Sequence, residues 1–177
     1  MNNKMSIIKV KDFVLRPLRM GDAKLYLKSQ SDKEAKKGFM TTPKNLAEAK
    51  KEIRERLVAT KKGTAETIVI EVKGEYAGFV DIHGLTNTER YKHSAIIGYC
   101  THPKFRGKGI TTKAVKLVTD YAFKKYHLKR ISGWCRTFNK ASARVLEKAG
   151  YKLEGIMRKN KFKDGKYLDD MIWAKVR

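Results

Sequence analysis

The chain has 177 residues, 41% of them hydrophobic types and only 3 proline, which fits one folded domain spanning 1–177 and argues against a disordered or low-complexity chain. No apolar run approaches the roughly 20 residues of a membrane span, and the lysine-bearing stretch from Met1 to Val10 has no signal-peptide core, so no membrane association and a cytoplasmic location are expected. The formal net charge is +23 and uneven: residues 1–89 carry 18 basic and 12 acidic side chains, residues 90–177 carry 23 and 6, which fits an anionic partner such as nucleic acid, a ribosome or an acidic substrate, or a solvated lysine surface.

Asp12 to Leu18 is expected to be a strand ending near Pro17. Asp22 is placed to cap a helix carrying Ala23, Tyr26 and Leu27. Residues 29–44 are polar and carry no clear period. Asn45 with Glu48 three residues later resembles a capping box, and Leu46, Ala49, Ile53 and Leu57 then recur at helical spacing up to Lys61-Lys62-Gly63. Thr67 to Val72 and Tyr76 to Ile82 flank Lys73-Gly74-Glu75, a hairpin signal, and His93 to Thr101 is the next strand. Ile110, Ala114, Leu117, Val118 and Tyr121 form one face of a helix running to about Tyr126. Arg130 to Arg136 reads as a strand, so this strand–helix–strand unit predicts a parallel pair with a right-handed crossover. Ala141, Val145, Leu146 and Ala149 share a face of a short helix stopped by Gly150, and Tyr151 to Arg158 and Tyr167 to Lys175 make a last antiparallel pair around Asp164-Gly165.

Between the strand ending at Thr101 and the helix after it lies Arg106-Gly107-Lys108-Gly109-Ile110. Glycines let the main chain approach a ligand closely. Amides at a helix N-terminus then converge on an anion. The turn therefore suggests a phosphate-bearing cofactor, although two glycines among basic residues also suit an ordinary connection. The nucleotide-hydrolase lysine loop is absent, and the dinucleotide fingerprint lacks its third glycine and its acidic residue near Lys129. Cys100 and Cys135 lie in apolar runs and read as small buried residues rather than a disulfide or redox pair. Two cysteines make no zinc site, and His83, His93, His102 and His127 show no ligand spacing, so no metal is expected.

With this element order, the turn at Arg106–Ile110 and the run Asn139 to Tyr151, followed by Glu154-Gly155, Arg158, Asp164-Gly165-Lys166 and Asp169, the chain resembles the GNAT superfamily of acyl-CoA N-acyltransferases over nearly its whole length. The later run looks like the Rim-type branch, which acetylates the N-termini of ribosomal proteins. The resemblance implies an α/β fold of mixed α+β character: a twisted, mostly antiparallel sheet of six to seven strands, splayed at a central parallel pair, with about four helices. It implies acetyl-CoA as cofactor, the pyrophosphate on the amides from Arg106 to Thr111 (Arg106, Gly107, Lys108, Gly109, Ile110, Thr111), and the pantetheine arm along Tyr99, Cys100 and Thr101. The amide of Cys100 or Thr101 would polarise the thioester carbonyl. Arg144 would also contact the cofactor, and Asn139 would bind the pantetheine arm, cap the following helix, or do both.

Three positions depart from the family's pattern. Ile96 and Lys113 stand where many relatives have glutamate, and Leu146 where several branches have a general-acid tyrosine. The usual acid and base therefore do not carry over. Ser142 occupies the position where the Rim branch offers a hydroxyl near the CoA sulfur, which implies that it steadies the departing thiolate; a solvent-facing helix serine is the plainer role. Asp81 and His83, two apart on one strand, face the same side and are the base candidates, with a structural histidine as the alternative. Tyr99 is placed to hold water or the acceptor, or to pack as a central-strand aromatic.

The expected activity is acetyl transfer to a protein N-terminal amine. The alternatives are the same chemistry on a small amine, antibiotic or aminoacyl-tRNA, and a non-catalytic CoA- or nucleic-acid-binding module. Arg158, Lys159, Lys161, Lys163 and Lys166 crowd the last hairpin and are expected to meet an anionic partner such as ribosome or RNA. Either a monomer or a homodimer fits the sequence.

Overall fold

The β-branched and apolar runs assemble into one eight-stranded sheet in the computed structural model, which describes residues 7–86 and 88–177. The Met1–Ser6 part of the N-terminal stretch, and Asn87, lie outside the described residues. In chain order the elements are β1 (Ile8–Lys9), β2 (Val14–Pro17), α1 (Ala23–Gln30), α2 (Lys33–Gly38), α3 (Leu46–Lys62), β3 (Ala65–Val72), β4 (Glu75–His83), β5 (Ser94–Thr101), α4 (Ile110–Lys125), β6 (Arg130–Arg136), α5 (Lys140–Lys148), β7 (Lys152–Lys163) and β8 (Lys166–Val176). The spatial order is β1-β2-β3-β4-β5-β6-β8-β7. Every neighbouring pair is antiparallel except β5 and β6, which α4 connects.

That parallel pair is short. It runs only from Ser94 opposite Arg130 to Ile97 opposite Gly133. Beyond this point β5 continues against β4 as far as Thr101, and β6 continues against β8 as far as Arg136. Each strand follows its own antiparallel partner, so the two diverge and the sheet opens into a V. The apex is closed by Gly133, where a Cβ would stand 2.7 Å from a Leu146 methyl. The missing side chain lets α5 dock Leu146 there, and burying that leucine contributes about 2–3 kcal/mol.

Two apolar layers flank the sheet. On one face Val115, Val118 and Ala122 of α4 and Leu146 of α5 pack on Ile97, Ile131 and Val80. On the other, Tyr26 of α1 and Ala49 and Ile53 of α3 pack on Phe79, Val69 and Cys100. Both cysteines are free and buried. No helix of the described residues is long and apolar enough to cross a membrane.

Most local signals act as expected. Asn45 accepts the amide of Glu48 at 2.9 Å, Gly63 takes the left-handed C-cap conformation at φ 74°, and Gly150 stops α5 at φ 89°. Three features differ from the sequence-based expectation. The described residues form eight strands and five α-helices, because β1 and α2 carry too few apolar residues to register as a period. The last hairpin is longer, closing only at Lys163 and Lys166. Asp22 precedes α1 but its carboxylate does not cap that helix; it accepts the Arg19 amide at 2.9 Å, closing the 3-10 turn Met20–Asp22, and is buried and bound by Arg16 at 2.9 and 2.7 Å.

Candidate active site

The open V leads into a cavity of about 580 Å³ between the C-terminal end of β5, the loop into α4, the first turns of α5 and the end of α2. Tyr99, Cys100, Thr101, Arg106, Gly107, Gly109, Thr111, Asn139, Ser142 and Arg144 all line it. Lys108 and Ile110 do not. Lys108 lies with its ammonium 5.6 Å from the Phe105 ring centroid, and Ile110 is buried in the core.

The loop's main chain explains the choice of glycine. Gly107 and Gly109 have φ of 74° and 72°, a region where other L-residues are strained. Gly109 is the N-cap of α4 and offers no side chain to its first turn. The other helices lining the cavity are capped: α2 by Asp32 and α5 by Asn139. The N-terminus of α4, uncapped and with its partial positive charge, turns into this cavity. The free run begins at Gly107, because the Arg106 amide is bound by the Pro103 carbonyl at 3.2 Å.

Arg106 does not offer its guanidinium as a free charge. It grips Asp32 with two bonds of 2.9 and 2.7 Å and the Thr101 carbonyl with a third of 3.1 Å. Asp32 at the same time accepts the amides of Glu34 and Ala35, so one carboxylate fixes both the α2 wall and the loop. The Arg106 hydrogen bond holds the Asp32 carboxyl below its ordinary value. Free positive charge comes instead from Lys140 and Lys148 of α5; Arg144, midway between them on the same helix face at four-residue spacing, is paired with Glu147. Lys140 and Lys148 escaped the sequence analysis; their four-residue spacing from Arg144 was the available signal. The α2 wall of Glu34, Ala35, Gly38 and Phe39 also escaped it.

Asn139 caps α5, its side-chain oxygen accepting the Ser142 amide at 3.1 Å. Ser142 and Tyr99 form one hydrogen-bonded unit. The Tyr99 hydroxyl lies 2.7 Å from Ser142 Oγ and donates to the Ser142 carbonyl at 3.0 Å. Burial pushes the Tyr99 phenol up, so it stays protonated at neutral pH. Burial likewise pushes the Cys100 thiol up to about 11 and leaves it inert. Ile96 is half-buried, Lys113 pairs with Asp12, and Leu146 is core.

His83 lies outside the cavity. It pairs with Ile96, four residues from Cys100, or about 13 Å along the strand. Asp81, His83, Ile96, Gly98 and Trp134 alternate onto the sheet face opposite α4. Asp81 Oδ2 holds His83 Nδ1 at 2.8 Å and lies 3.7 Å from Arg56. Burial works against the Asp81 charge, but His83 and Arg56 prevail and lower its pKa. The His83 side chain stays 44% exposed and the neighbouring Trp134 46%.

The chain matches the family described as acetyltransferase (GNAT) domain over residues 12–152. It is 47% identical over 81 residues to the Bacillus subtilis protein named "Probable N-acetyltransferase YjcK", covering 46% of this chain and 45% of that one. It is 30% identical over 99 residues to spermidine N(1)-acetyltransferase of Escherichia coli, covering 56% and 52%. The matched stretch thus spans about half the length of these curated relatives. Its fold is similar to that of RimL, described as a ribosomal L7/L12 alpha-N-protein acetyltransferase and solved in complex with coenzyme A, with a TM-score of 0.85, 22% identity, and 97% and 98% of the two chains covered. The family match spans the V, the glycine loop and α5, and the chain belongs to the acetyltransferase (GNAT) family.

Proposed function

We propose that this protein is an acetyl-CoA-dependent N-acetyltransferase that modifies a protein N-terminal α-amino group, a ribosomal protein's among the candidates, by direct attack in a ternary complex. The observation that carries the proposal is the uncapped N-terminus of α4, opening between glycines of positive φ into a cavity lined by Lys140, Lys148 and the Glu147-paired Arg144 of α5. Acetyl-CoA supplies an acetyl group already activated as a thioester. Amides from Gly107 to Thr111 bind its pyrophosphate, and Lys140, Arg144 and Lys148 balance its remaining phosphate charge. The edge of β5 beyond Ile97 has lost its strand partner and receives the pantetheine arm. The amide of Cys100 or Thr101 polarises the carbonyl. The Tyr99–Ser142 unit presents a neutral hydroxyl to the leaving sulfur.

The acceptor approaches from the opposite face, through the V. There His83, held by Asp81 through Nδ1 and about 13 Å along the strand from Cys100, accepts the proton through a relay of waters and not directly. An α-amino group near pKa 8 needs less of this help than a lysine near 10.4. The relationship to the spermidine enzyme favours a small polyamine instead. Charge opposes it: Glu34 is the one carboxylate among the lining residues, and the chain carries +23. A cytoplasmic location belongs to the same proposal. The test is thiol release from acetyl-CoA against N-terminal peptides, spermidine and other free amines, and aminoacyl-tRNA. Turnover on peptides with free N-termini, absent when those are blocked, supports the proposal. Turnover confined to small amines, or cofactor binding with no turnover, overturns it.

A further inference from the structure

The tip of the β7–β8 hairpin carries an unusual surface. Phe162 and Tyr167 face each other across the two strands with ring centroids 5.1 Å apart, and are 59% and 64% exposed. No other element among the described residues covers them. The Lys159 ammonium lies 5.8 Å from the Tyr167 ring centroid. Arg158, Lys159, Lys161 and Lys166 make no ion pair among the described residues, although acidic Asp164 and Asp169 are close in sequence. Asp169 is used on main chain, accepting the Lys159 amide at 2.7 Å. Lys163 is also spent, donating to the carbonyls of Lys36 and Phe39 at the end of α2. That bond ties the hairpin tip to the wall of the cavity, so the aromatic pair stands beside its mouth without lining it.

We propose that this tip is a binding platform for single-stranded RNA. Exposed rings give bases a surface to stack on, and the surrounding cations track the phosphates. Charge alone would serve an acidic protein equally well. The two open rings favour nucleic acid, because an acidic peptide gains little from an aromatic face that a base stacks upon. The proposal does not depend on the identity of the acceptor amine. It places an RNA strand beside the mouth of the cofactor cavity.

Fluorescence anisotropy with a labelled oligo-uridine 12-mer tests it, using full-length protein. The wild type is expected to bind, with Phe162→Ala/Tyr167→Ala weakening binding by about tenfold or more. Lys161→Glu/Lys166→Glu is expected to flatten the dependence of log K on log salt by about 1.4. Acetyl-CoA affinity, measured by calorimetry on the same variants, should be unchanged, which shows that they are folded. Three results overturn the proposal: no binding by the wild type, undiminished binding by the aromatic variant, or displacement of the RNA by poly-glutamate at lower concentration than by unlabelled oligo-uridine. If the alanine variant fails to fold, Phe162→Ser/Tyr167→Ser with the same readouts replaces it.

Discussion

The two sides of the β5–β6 gap are built differently. On the side proposed for the cofactor, the features offered are those of the main chain: glycines of positive φ, an uncapped helix end and an unpaired strand edge, with charged side chains as supplements. On the side proposed for the acceptor, the groups that meet are side chains from separate elements, Asp81 and His83 from β4 and Arg56 from α3. A ligand common to a whole family suits the first arrangement, because backbone geometry survives sequence change. An acceptor that differs among relatives suits the second.

Variants separate the two sides. The largest effect is expected for Gly109→Val. It forces a β-branched residue into φ 72°, with about 1–2 kcal/mol of strain, and turns the first amides of α4. Acetyl-CoA affinity should fall by about thirtyfold or more by calorimetry, with acceptor KM little changed at saturating donor. His83→Asn should do the reverse. We expect kcat to drop by about tenfold or more with donor affinity intact, and the pH–rate profile to lose an ionisation that the wild type shows. A profile identical to wild type would remove His83 from the chemistry.

Ser142→Ala should lower kcat by several-fold to tenfold in stopped-flow thiol release, and Tyr99→Phe should act in the same direction because the two hydroxyls form one unit. Smaller still, Arg144→Ala/Lys148→Ala should raise the donor KM by about two- to fivefold and reduce its salt dependence, since both cations are exposed. Asp32 gives a pH test. Its folded pKa is lowered, so its bond to Arg106 stabilises the fold above the ordinary carboxylate range and is lost as pH falls through the folded value. The stability gap between wild type and Asp32→Asn, measured by urea unfolding, should therefore shrink below about pH 4.

How much was legible in the sequence divides along the same line. The cofactor side is local: Gly107, Gly109, Asn139 and Gly150 act within a few residues of themselves, and the spacing of elements around them is enough to read. The Arg106–Asp32 clasp joins residues 74 apart, and no local pattern reports it. Nor does α2 announce itself, since Ala35 is its one buried residue. Asp22 looked like a cap because the sequence did not show that Arg16 would claim its carboxylate. His83 and Asp81 were visible as a same-face pair, but Arg56, which holds Asp81 charged, reaches them only through the packing of α3 on the sheet.

The central claim is that the gap beyond Ile97 and Gly133 is the acetyl-CoA site. Isothermal titration of acetyl-CoA into the wild type and Gly109→Val, with folding of both checked by circular dichroism, tests it most directly. The account predicts one saturable site in the wild type and affinity reduced by about thirtyfold or more in the variant. Equal affinity in both proteins, or no binding by the wild type, would contradict it.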